Sequence, residues 1–123
     1  MNQIIKNNYQ NFNEDIIINK YLKKLNFFKK TTFNFKNDAG ILKSPKNKEI
    51  VVSQDSLVEN IHFFSGDSPE SIAIKSIRTN LSDLTSMGAK PYAYTMSLSL
   101  KNSINESWVS KFTNSLYKEQ KKY

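Results

Sequence analysis

The sequence predicts an α+β fold, a small mixed sheet with helices packed on one face. Apolar residues recur at three-to-four spacing near the start, in the middle and at the end of the chain, and the runs between those stretches alternate apolar with polar residues. The resulting order is helix, strand, strand, helix, strand, helix. A length of 123 residues suffices for one domain with its own core. A sheet of four or fewer strands has exposed edges, which another element or another chain has to cover.

Each element has its own signal. Residues 1–12 are polar, Asn-rich and aperiodic and are expected to be a frayed N-terminus, leaving 13–123 as the domain. Asn13 can cap a first helix, Glu14 and Asp15 suit its positive end, and Ile17, Tyr21, Leu22 and Leu25 share one face. From Thr31 the pattern shortens. Phe33 and Phe35 alternate with polar neighbours, Ile41 and Leu42 follow Asn37-Asp38-Ala39-Gly40, and Pro45 and Asn47 mark a turn. EIVVSQD reads as a β-branched strand whose polar end can deliver side chains into a loop. In LVENIHF, Leu57, Glu59, Ile61 and Phe63 alternate with Val58, Asn60 and His62, which puts His62 on the more polar side.

Ser68-Pro69-Glu70 has the form of an N-cap, a proline at the first helical position and an acid in the first turn. The helix it opens runs to about Met87, with Ala73, Ile77, Leu81, Leu84 and Met87 on its apolar face. Gly88 and Pro91 end it. Ser76, Thr79, Asn80 and Asp83 form an unusual polar stripe on another face. YAYTMSLSL then alternates at period two, with Tyr92, Tyr94, Met96, Leu98 and Leu100 opposite a small-residue face. A last helix, capped near Ser103 or Asn105, carries Trp108, Phe112 and Leu116.

The formal net charge is +7, with one His and no Cys. Basicity is confined to the ends: residues 1–48 carry net +7 and 111–123 net +3, whereas 49–110 carry net −3. Nearly all the cations are Lys, with Arg78 the single Arg, which reads as compositional bias and not as a nucleic-acid patch. No apolar run is long enough for a membrane span and no signal peptide is evident, so the cytoplasm is the expected location. Lack of cysteine excludes disulfides and thiolate sites. With only three glycines there is no Gly-rich phosphate loop, and a lone His makes no triad. Three carboxylates remain in distinctive settings: Asp38 between two strand-like runs, Asp55 at a strand end and Asp83 on the polar stripe. Carboxylates so placed suit magnesium, a hard cation that takes oxygen ligands and bridges phosphates; spacing alone equally allows turn formers and a helix acid.

NDAGIL, VVSQDSLVENIHF, IAIKSIRTNLSDLTSMGAKPYAYTMSLSL and ESWVSKF resemble, in order and spacing, the N-terminal half of the thiamine-monophosphate kinase family. That family belongs to the superfamily of aminoimidazole ribonucleotide synthetase and selenophosphate synthetase. The resemblance covers about residues 13–117 and is most specific at Asn80-Leu81-Ser82-Asp83-Leu84 with Met87-Gly88-Ala89 and Pro91. It implies the superfamily's N-terminal domain fold and transfer of the γ-phosphoryl group of ATP to thiamine monophosphate. The implied magnesium ligands are Asp38, Asp55 and Asp83, with Ser53 and Gln54 adding oxygens, and His62 is the implied substrate contact. No further catalytic residue is implied. Lys36-Asn37-Asp38 stands where the family usually has Gly-Asp-Asp, and Gln54 where Thr is common. The family continues beyond the Trp108 helix into a Gly-Gly-Asp-Thr segment and a C-terminal domain. The chain is therefore expected to be inactive alone and to act as a homodimer or with a partner chain bearing the missing half. The alternative is a non-catalytic dimerisation or binding remnant of such an enzyme.

Overall fold

A computed structural model describes residues 13–123; the expected frayed segment, 1–12, lies outside the described residues. Two long helices dominate what is described. Helix α2 (Pro69–Ser86) begins as its sequence dictates: the Ser68 side chain accepts from the Ser71 amide at 3.1 Å, Pro69 occupies the first turn, and Glu70 sits by the positive end. It closes at Met87 and Gly88, whose φ of +64° is the left-handed conformation that glycine adopts without a Cβ penalty. Helix α3 (Glu106–Gln120) is capped by Asn105, whose Oδ1 accepts from the Trp108 amide at 2.9 Å.

The core lies between these two helices. Ile72 and Ala73 of α2 bury against Phe112 and Leu116 of α3, and the Trp108 ring stacks on Phe112 with centroids 5.1 Å apart. The expected α2 face is only partly the buried one, because Ile72 is buried while Met87 is 68% exposed. Val109, Thr113, Ser115 and Glu119 are buried as well, so α3 is covered over more of its circumference than the Trp108, Phe112 and Leu116 stripe indicates.

The first helix starts as expected, with Asn13 Oδ1 accepting from the Ile16 amide at 3.0 Å, but α1 (Glu14–Ile16) is a single turn. It widens into a π-helical turn, Ile17–Leu22, and tightens to a 3₁₀ turn, Lys23–Leu25. Tyr21 is buried there. Lys20 reaches Glu106 at 3.0 Å and Lys24 reaches Asn114 Oδ1 at 2.6 Å, tying this segment to α3.

The expected mixed sheet is not formed among the described residues; the fold class needs correcting to a helix pair carrying irregular segments. Phe33–Phe35 is a 3₁₀ turn in which Phe33, Asn34 and Phe35 all have positive φ, so its alternation is that of a turn. Phe28 O draws this stretch together by accepting from the amides of Thr31 (3.0 Å) and Thr32 (3.3 Å). Among the described residues, 49–57 and 90–100 make no backbone hydrogen bond to another segment, and the single bridge, Glu59 to Phe63, closes a local turn. Period two records which side faces inward and leaves the ladder partner unspecified.

Only the second half of the apolar alternation in YAYTMSLSL turns inward, since Tyr92 and Tyr94 are 59% and 48% exposed. Met96, Leu98 and Leu100 are half-buried while Thr95, Ser97 and Ser99 are exposed. Leu57, Phe63, Met96 and Leu98 pack directly on the helix core. The segments thus bury side chains on α2 and α3 without pairing with one another. No helix among the described residues is long and apolar enough to cross a membrane.

Candidate functional site

The fold brings Ser53 to the polar stripe of α2. Ser53 Oγ donates to Asp83 Oδ2 at 2.7 Å and lies 3.3 Å from Asn80 Oδ1. Ser53 is half-buried and Asp83 exposed. The rest of the stripe is satisfied within the helix: Ser76 Oγ donates to Ala73 O (2.8 Å), Thr79 Oγ1 to Lys75 O (3.2 Å) and Asn80 Nδ2 to Ser76 O (3.1 Å). Short polar side chains bonded to the preceding turn explain how helix positions that ordinarily favour Lys or Glu take Ser, Thr and Asn.

The other expected donors make no hydrogen bond to this pair among the described residues. Asp38, Gln54 and Asp55 are exposed and make no side-chain hydrogen bond among the described residues. No three His, Cys, Asp or Glu side chains group so as to hold a metal ion among those residues. The donor set fits magnesium in its chemistry, since every donor is an oxygen. In geometry, Ser53 and Asp83 are the two of the five joined by a side-chain hydrogen bond among the described residues.

His62 is exposed and lies in a closed turn. Val58 O accepts from the His62 amide at 2.8 Å, and His62 Nδ1 accepts from the Val58 amide at 3.0 Å, so His62 takes both backbone polar groups of Val58. Asn60, with φ +65°, turns the chain between them. An Nδ1 that accepts leaves the ring hydrogen on Nε2, which makes the outer edge of the imidazole a donor.

Three groups around these residues escaped the sequence reading: Lys75, which donates to His62 O, Lys101, which pairs with Glu59, and the buried Glu119. Each is joined to residues far along the chain, and no local spacing marks such pairs. Glu119 of α3 is held by Arg78 Nε of α2 at 2.6 Å and by Lys122, and these bonds keep its carboxyl below the usual glutamate range.

The family described as AIR synthase related protein, N-terminal domain, matches residues 36–123, a span that contains every candidate residue named above. The chain belongs to this family. Among relatives of this N-terminal domain, the thiamine-monophosphate kinase of Buchnera aphidicola subsp. Acyrthosiphon pisum (strain APS) is 39% identical over 115 residues, 91% of this chain and 35% of the relative. The thiamine-monophosphate kinase of Haemophilus influenzae is 40% identical over 87 residues, 71% of this chain and 26% of the relative. That of Escherichia coli (strain K12) is 36% identical over 81 residues, 66% of this chain and 25% of the relative. The chain thus spans about a third or less of the length of these curated relatives. No solved structure matches it. The resemblance to thiamine-monophosphate kinases, most specific at Asn80-Leu81-Ser82-Asp83-Leu84 with Met87-Gly88-Ala89 and Pro91, is upheld.

Proposed function

We propose that this domain is the N-terminal part of a cytoplasmic, ATP-dependent thiamine-monophosphate kinase. The observation that carries the reading is 39% identity to such a kinase over 91% of the chain. In the proposed reaction a terminal phosphate oxygen of thiamine monophosphate attacks the γ-phosphorus of ATP. The bond to the β–γ bridging oxygen breaks, and thiamine diphosphate and ADP form. Donor and acceptor are both anions, so the protein's task is mainly positioning and charge compensation.

Asp38, Ser53, Gln54, Asp55 and Asp83 would hold magnesium, which when bound supplies positive charge between the two sets of phosphates. Within this chain Ser53 orients the Asp83 carboxylate through its hydroxyl, and His62 offers Nε2–H to an acceptor atom of the substrate. The remaining donors are gathered only with the part of the enzyme that makes up most of each relative's length, in the same polypeptide, a second copy or a partner chain. That Asp38, Asp55 and Asp83 form no three-carboxylate group among the described residues favours a second reading, a non-catalytic dimerisation or binding module.

One assay separates the two. Thiamine diphosphate formation from thiamine monophosphate, ATP and magnesium is measured with this chain alone and with a separately produced C-terminal part of a relative. The kinase reading expects turnover only in the mixture. No turnover in either sample overturns it and leaves the binding module, which in turn is excluded if the chain binds ATP tightly by calorimetry.

A further inference from the structure

The turn that carries His62 is braced from two distant places. Lys75, in the second turn of α2, donates through Nζ to His62 O. Lys101, beyond the YAYTMSLSL segment, pairs with Glu59, which is itself bridged to Phe63. Inside the turn, Val58 and His62 exchange backbone and ring bonds at 2.8 and 3.0 Å, and the Asn60 amide donates to Phe63 O at 2.7 Å. Two cations from separate elements thus hold the ends of a six-residue loop whose only titratable ring is His62.

We propose that Lys75 and Lys101 are positioning residues that lock this turn so that His62 presents a single tautomer, Nε2–H outward, as a hydrogen-bond donor to a lone-pair acceptor on the ligand. The proposal rests on the reading above in which His62 meets substrate, and it deepens that reading by fixing the polarity of the contact. With Nδ1 occupied by the Val58 amide, the ring can offer its outer edge only as a donor. It therefore recognises an acceptor, such as a phosphate oxygen or an unprotonated ring nitrogen, and rejects a donor at the same place. An unbraced turn would let the ring rotate off Val58 and exchange tautomers, and the contact would lose its sign. Both lysines are exposed, so replacing either removes a brace without opening the core.

The chain contains one histidine, so its imidazole nitrogens are read without ambiguity in a long-range proton–nitrogen spectrum of the labelled full chain. At about pH 8, above the ordinary imidazole range, the wild-type chain is expected to show the Nε2–H pattern. K75M and K101M are expected to show mixed tautomers and amide exchange at Val58 faster by about tenfold, the loss of roughly one hydrogen bond. K75R is expected to restore both. The α2 and α3 amide signals serve as the control that the core is intact. An Nδ1–H pattern in the wild type, or unchanged tautomers and Val58 exchange in both Met variants, overturns the proposal; a change in only one variant removes the other lysine from it. Titration with thiamine monophosphate then tests the parent reading separately, because a braced, single-tautomer His62 whose signals ignore that ligand refutes the substrate contact and leaves the brace standing.

Discussion

At the scale of single residues, two carboxylates do opposite work. Asp83 is exposed and among the described residues its carboxylate is bonded only by Ser53, so Asp83→Asn keeps an acceptor for that hydroxyl and should change stability by less than about 0.5 kcal/mol. In the kinase proposed above, Asp83→Asn and Asp55→Asn should each abolish magnesium binding by titration, and normal binding in both would remove these residues as ligands. Glu119 is buried, and hydrogen bonds from Arg78 and Lys122 depress its carboxyl. A depressed carboxylate adds stability that is complete above its unfolded value and is lost as pH falls through the lower folded value. Thermal melts should therefore fall progressively below roughly pH 4, and Glu119→Gln should flatten that acid limb. Unchanged acid melts in the variant would show that the ion triad contributes nothing. Asp38, Ser53, Gln54, Asp55, His62 and Asp83 were all legible in the sequence as candidates. The cations that brace the His62 turn and Glu119 were not, since Lys75, Lys101 and Arg78 lie on ordinary solvated positions and acquire a role only from what the fold brings near them.

At the scale of elements, capping chemistry was the most readable feature. Ser68, Pro69 and Gly88 bound α2, and Asn105 bounds α3, because each acts on backbone groups within three or four residues. Regularity was less readable: the Asn13 cap holds, yet the helix it starts passes at once into π and 3₁₀ turns as Tyr21, Lys20 and Lys24 dock on α3. The α2–α3 interface supplies the core, and Phe112 is its largest buried side chain, stacked on Trp108. Phe112→Ala should cost about 3–5 kcal/mol, which in so small a core is expected to abolish the cooperative melt followed by far-ultraviolet circular dichroism. A melt shifted by only a degree or two would place the core elsewhere.

At the scale of the whole molecule, the two helices carry stability and the segments beside them carry the candidate chemistry. Val52 is 81% exposed and Ile61 74%, and among the described residues no backbone bond ties 49–57 or 90–100 to another segment. Amide exchange should accordingly be fast through those segments and slowest in the buried stretches of α2 and α3. Equal protection of both would contradict the unpaired arrangement. By itself the sequence determined the family and the caps of the two long helices, which depend on residue type and near spacing. Tertiary structure alone decided that no ladder forms among the described residues, that Ser53 meets Asp83, and that Lys75 and Lys101 converge on the His62 turn. The physical reason is common to all three: hydrogen-bond partners many residues apart are chosen by packing on the α2–α3 pair, and alternation or spacing along the chain contains no information about them.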